Sequence, residues 1–187
     1  MQAGNEGKRI AALVGDGFEE VELTEPRRAL EEAGAVVTIV GIDERSKQRI
    51  RAKRGLDDAT PATAEELVAD CTAEDFDALL IPGGFSPDRI RTSREVQRFV
   101  KEFDTVKKPM FALGHGPQVF ISAQLARGRT MTASPSIADD VRNAGGLYRD
   151  QPTVQDGHWI TARGAGDMLL FNRAIIEKLS TALGQPV

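Results

Sequence analysis

The chain has 187 residues, of which 41% are hydrophobic and 28% charged, and carries a net charge of −4. This length and mix suit a globular protein of one domain with a sizeable core, and the mild negative balance gives no global pull toward nucleic acid or an anionic membrane. A single cysteine, Cys71, excludes an internal disulfide and a thiolate metal cage, and two histidines argue against a multi-histidine metal site.

Residues 1–7 read as a loose tail and 8–187 as one domain. The N-terminal MQAGNEGKR lacks the apolar centre of a signal peptide, and no apolar run approaches the ~20 residues that span a bilayer. A cytoplasmic setting is the expectation. RIAALV at 9–14 is a short buried strand ended by Gly15. The loop DGFEEVE then enters a helix that carries Pro26 and Leu30 and stops at Gly34. AVVTIVG at 35–41 is β-branched and reads as a second strand. Strand, helix and strand in so short a span form a βαβ unit with parallel pairing.

Residues 43–60 alternate Arg45, Lys47, Arg49, Arg51 and Lys53 with other residues, as on an exposed hairpin. The charges suit a solvated edge ribbon that resists edge-to-edge pairing; an anion or nucleic-acid patch is the other reading, but no aromatic residues interleave as single-strand binding uses. Residues 63–70 suggest a short helix with Thr63 as cap and Glu66 at the capping-box position. Cys71 has no flanking His or Lys to activate it and reads as structural. FDALLI at 76–81 is a third strand, stopped by the turn Pro82, Gly83, Gly84. A helical turn at 87–91, a helix capped by Ser93 and a strand at 110–113 follow. Gly128 is the expected end of the helix after that strand. A strand at 130–133, a helix over 136–143, a hairpin around 155–158 and a terminal helix capped by Asp167 and reaching about residue 183 complete the chain. His158 reads as a surface residue, and Arg163 with Asp167 as a lock on the last turn.

The most informative stretch is MFALGHGPQVFISAQLA at 110–126. A buried strand runs through the tight turn Gly114, His115, Gly116 into a helix opened by Pro117, which suits a first helical turn. Such a turn lifts its residue above the sheet edge and aims helix N-terminal amides at whatever sits there, the geometry of a nucleophile elbow and an oxyanion hole. The nucleophile position holds Gly114. Elbow residues often take φ above zero, which costs ~1–3 kcal/mol for a side chain; glycine takes it freely. Gly114 is therefore expected to keep the elbow and relieve its strain.

The motifs DGFEEVEL (16–23), IPGG (81–84), ALGHGPQ (112–118), TASPSIADDV (132–141) with NAGG (143–146), and TARGAGD (161–167) resemble, in order and spacing, the ThiJ/PfpI family. That family includes the Parkinson-disease-associated protein deglycase and the PfpI intracellular proteases. The HGPQ turn and the Ser-Pro-Asp-Arg segment favour the PfpI branch. The resemblance implies an α/β fold: a flavodoxin-like doubly wound sheet sandwiched by helices, of the class I glutamine amidotransferase-like type. It also implies a site. Gly114 stands at the cysteine position, His115 at the histidine and Glu19 at the glutamate that contacts the thiol. Gly83 and Gly84, with the elbow amide of His115, stand at the oxyanion hole, and Asp88 at an acid reaching in from a neighbouring subunit. Ser134, before Pro135, stands where PfpI relatives commonly carry tyrosine.

Without a side chain at Gly114, thiolate attack at that position cannot occur, whether the cysteine was lost naturally or by engineering. Glu19, held in a pocket without its partner thiol, is expected to have a raised pKa. The resulting expectation is a divergent or catalytically impaired member that binds a small carbonyl or carboxylate compound in the former active-site pocket, with a role under stress. The alternative is a cysteine-type intracellular peptidase, or a glyoxalase or deglycase. The resemblance implies a homodimer or hexamer as the natural assembly; no cofactor, no metal, and no nucleic-acid or membrane partner are expected.

Overall fold

The structure is a computed structural model that describes residues 4–181. Its elements in chain order are β1 (Arg9–Leu13), β2 (Phe18–Glu19), α1 (Glu20–Glu32), β3 (Val36–Gly41), β4 (Ile50–Arg54), β5 (Asp57–Ala62) and β6 (Glu66–Leu67). There follow β7 (Ala78–Ile81), α2 (Ser86–Ile90), α3 (Arg94–Thr105), β8 (Met110–Leu113), α4 (Pro117–Ser122) and β9 (Thr130–Met131). The chain closes with α5 (Ala138–Asn143), β10 (Leu147–Tyr148), β11 (Thr153–Asp156), β12 (Trp159–Ala162) and α6 (Met168–Thr181).

Seven strands form the main sheet in the order β11-β12-β8-β7-β1-β3-β6. All neighbours pair in parallel except β11 and β12, the expected hairpin. The central strands are apolar throughout because both faces are covered. In β1, Ala11 and Leu13 face one core, with Phe99, Phe103, Phe120 and Val141 of the helices α3, α4 and α5. Ile10 and Ala12 face the other, with Leu30 of α1 and Phe171, Ile175 and Leu179 of α6. The chain steps outward from β1 to β3 and β6, then returns to β7 on the other side of β1. This reversal is the switch point of a flavodoxin-like doubly wound sheet, where the crevice beyond the strand ends takes ligands.

The charged ribbon is the antiparallel pair β4–β5, as expected. Its cations are largely paired: Arg51 with Asp16, Lys53 with Asp58 and Arg54 with Glu20.

Four expectations need correction. Residues 63–70 form no helix: β6 adds to the sheet edge beside β3, and Val68 donates to the Gly41 carbonyl, so the sheet claims the donors a helix would use. The helix after the elbow ends at Ser122, well before Gly128; Gln124 takes φ 60° and closes it. Residues 4–7 do not hang free, since Asn5 is buried, donates to the Ile176 carbonyl and accepts from Ser180. The expected end of the last helix at residue 183 lies outside the described residues.

The fourth correction is His158. Only 11% of its side chain is exposed, and Nε2 lies 2.8 Å from Asp104 Oδ1. The same oxygen accepts from Trp159 Nε1 at 2.9 Å and from Arg129 Nη2 at 2.9 Å. Arg129 also stacks over the Trp159 ring, which packs on Phe120. One carboxylate at the end of α3 thus gathers the β12 edge. Asp104→Ala leaves buried donors without an acceptor, and we expect a loss of about 1–3 kcal/mol in urea unfolding. Fluorescence of Trp159, the lone tryptophan, should shift with it.

Candidate active site

The β8–α4 turn is an elbow. Gly114 sits at φ 61°, as expected for glycine at this position. Its amide donates to the Ala162 carbonyl of the neighbouring strand, and Gly116 closes the turn onto the Leu113 carbonyl. Pro117 then opens α4. The turn after β7 packs beside it, so the loops from three strand ends converge at the switch point.

The carboxylate at the elbow is Glu22, not Glu19. Glu22 is 5% exposed, and its Oε2 accepts from the Gly83 amide at 2.8 Å. A Cβ built on Gly114 would lie 2.7 Å from Glu22 Oε2 and 3.0 Å from Oε1, closer than a carbon tolerates. A Cβ on Gly83 would strike the same carboxyl. The carboxyl therefore fills the space into which a side chain at position 114 would start. Gly83 is not a free oxyanion donor, because its amide is held by Glu22. Gly84, at φ 75°, forms a bridge with Phe18 and borders the cleft.

The start of α1 explains the assignment. Glu19 is the N-cap and the last residue of β2, so its side chain points to the hairpin and accepts from the Gly55 amide at 3.0 Å. Glu20 accepts from the Thr60 amide and pairs with Arg54. Glu22 shares the inward face of the helix with Leu23, Pro26 and Leu30, all buried. Glu19 still lines the cleft, but it does not reach the elbow carboxyl's place.

The carboxyl whose pKa is raised at the elbow is Glu22. Burial pushes the Glu22 carboxyl up to about 7; the Gly83 and Ala165 amides, which stabilise the charged form, oppose this, and repulsion from Glu19 adds to it.

His115 is half-buried, and burial holds its imidazole below the ordinary histidine pKa against the pull of Asp88 and Asp140. Its Nε2 lies 3.1 Å from Ser136 Oγ, which lies 2.9 Å from Ser134 Oγ. The Ser134 amide donates to the Gly114 carbonyl at 2.8 Å and clamps this loop onto the elbow. Pro135 opens a 3-10 turn through Ile137. Asp88, on α2, lines the same cleft as His115 within one chain. Arg163 grips Asp167 through Nε and Nη2, the expected lock on the last turn.

The cleft holds about 530 Å³ and is lined by Glu19, Glu22, Gly55, Leu56, Gly84, Phe85, Asp88, His115 and Gln118. Gln118 is 9% exposed, and its Oε1 is buried with no hydrogen-bond partner among the described residues. The sequence reading missed Glu22, Gln118 and Ser136 as site residues. The helical phase of the stripe Leu23, Pro26, Leu30 was the available signal for Glu22; Ser136 has none, because only the fold joins it to His115. Cys71 is buried away from the cleft, and burial pushes its thiol up to about 11, as befits a structural cysteine.

A strand–turn–helix elbow at the switch point of a doubly wound sheet defines a flavodoxin-like protein with an elbow site. The chain belongs to the DJ-1/PfpI family, whose model matches residues 8–178. It is 41% identical over 172 residues to YraA of Bacillus subtilis (strain 168), provisionally named a cysteine protease, with 92% of this chain and 98% of that one covered. It is 40% identical over 177 residues to General stress protein 18 of the same strain, covering 92% and 99%. It is 38% identical over 173 residues to Protein/nucleic acid deglycase 2 of Escherichia coli (strain K12), covering 92% and 98%.

The Glu22 geometry has a thermodynamic consequence. A pKa raised on folding means that the native state keeps a proton the unfolded chain has already released. The stability this proton confers is full below the ordinary carboxyl value of 4.5 and is lost as pH rises through about 7. From pH 5 to 8 the wild-type chain should lose stability relative to Glu22→Gln, by on the order of 3 kcal/mol. Urea melts across that range measure the gap, and parallel pH profiles would show an ordinary carboxyl.

Proposed function

We propose that this chain is a divergent DJ-1/PfpI member that binds a small carbonyl or carboxylate compound in the cleft above Gly114, without thiol chemistry at the elbow. The observation that carries this reading is the Glu22 carboxyl standing over Gly114, where the nucleophile position has no side chain. A carboxyl of pKa about 7 is half protonated near neutral pH and offers an O–H to a ligand oxygen when protonated. The buried, unpartnered Oε1 of Gln118 supports the reading: it suits the O–H of a hydroxy acid or of a hydrated aldehyde. The name of the relative General stress protein 18 supports a role under stress. Among the described residues no helix is long and apolar enough to cross a membrane, and a cytoplasmic setting is part of this proposal. So is a homo-oligomer in which Asp88 also serves the site of a second subunit, an assembly that light scattering checks.

The names of YraA and deglycase 2 favour a second reading, a peptidase or a deglycase. It requires turnover of methylglyoxal or a fluorogenic peptide by the chain as it stands; we expect none.

The direct test is lactate binding by calorimetry. Lactate stays ionised throughout, so ionised Glu22 repels it and protonated Glu22 donates to it. Affinity should be about tenfold higher at pH 6 than at pH 8, and Glu22→Gln should abolish that dependence. Lactate binding of equal strength at both pH values, or none at either, would refute the reading.

A further inference from the structure

The loop of Ser134 brings a second hydroxyl, that of Ser136, to the histidine beside the elbow. Ser136 is exposed, and its partner His115 lines the cleft. Its Oγ lies 3.1 Å from His115 Nε2, within reach for a nucleophile and its base. The hydrogen bonds admit a consistent direction. With the ring proton on Nδ1, Nε2 accepts from Ser136, and Ser136 in turn accepts from Ser134 at 2.9 Å. Ser134 then stabilises negative charge developing on the Ser136 oxygen. The clamp from the Ser134 amide to the Gly114 carbonyl fixes this row of groups on the elbow. Two exposed apolar side chains at the cleft, Leu56 and Phe85, suit a short acyl chain.

We propose that Ser136 and His115 form a nucleophile–base dyad that hydrolyses small acyl esters, a serine-based acyl transfer in a chain whose elbow has no thiol. Ser136 Oγ attacks the ester carbonyl carbon, and its proton passes to His115 Nε2. The carbon–oxygen bond to the alcohol breaks, and the alcohol leaves with the proton from His115. Water then attacks the acyl-serine ester, giving its proton to His115. The acid departs, and the proton returns to Ser136 Oγ. Ester and water give acid and alcohol, with no other reactant. The burial that lowers the His115 pKa keeps the ring neutral, as a base must be.

This dyad is independent of lactate binding through Glu22, and either can fail without the other. The test uses the full chain with a fluorophosphonate probe and with 4-nitrophenyl acetate. The probe should add once, with loss of fluoride, and peptide mass spectrometry should place the adduct on Ser136. Ser136→Ala, a change at an exposed position, should remove both the adduct and ester turnover. His115→Gln should slow both by about 10²-fold or more. Ser136→Cys should be alkylated by iodoacetamide faster than the same variant carrying His115→Gln, an acceleration that a merely exposed cysteine would not show. Turnover that survives in Ser136→Ala, an adduct elsewhere, or no adduct on a folded wild-type chain would each overturn the proposal.

Discussion

The hydrogen bond from the Gly83 amide to the Glu22 carboxyl is the contact on which this site depends. It ties the first turn of α1 to the turn after β7, and it holds a carboxyl against the elbow at Gly114. A buried carboxylate needs such a donor. The amides of Gly83 and Ala165 favour the ionised form without offsetting burial, so its pKa settles near neutrality. Gly83 is a condition of this arrangement, because a Cβ there would strike the backbone of His115 and Leu113 as well as the carboxyl. At Gly114 the nearest neighbours of a Cβ are all atoms of the Glu22 carboxyl, the far end of a flexible side chain, so the carboxyl would shift to admit it.

The sheet explains why these pieces meet. Apolar strands covered on both faces fix β1, β7 and β8 side by side, and each ends in a turn at the same edge. The switch point lies among them, so α1, the Gly83–Gly84 turn and the elbow supply one wall each. The loop of Ser134 and Ser136 reaches the same place from the far side of the sheet, because its amide meets the Gly114 carbonyl. Away from this edge the fold is secured by other means, among them the Asp104 carboxylate that gathers Arg129, His158 and Trp159.

Much of this was legible in the sequence. Apolar runs bounded by glycine and proline marked the central strands, and the strand–Gly-His-Gly–Pro pattern marked the elbow and its glycine conformation. What was not legible depended on register or on distant contacts. Three glutamates stand within four residues, and only the starting point of α1 sends Glu19 to the hairpin and Glu22 inward. Residues 63–70 carry helix-cap residues, yet the open edge of β3 takes their backbone. His158 looked exposed because its partner, Asp104, lies 54 positions away in sequence. Ser136 and His115 are 21 positions apart, and no local pattern connects them.

The most direct test of the account is a titration of the Glu22 carboxyl carbon by NMR on labelled protein, assigned with Glu22→Gln. The account predicts a midpoint near 7. A midpoint in the ordinary glutamate range, about 4.3, would mean that the carboxyl is solvated rather than packed over Gly114, and would contradict the account of the site.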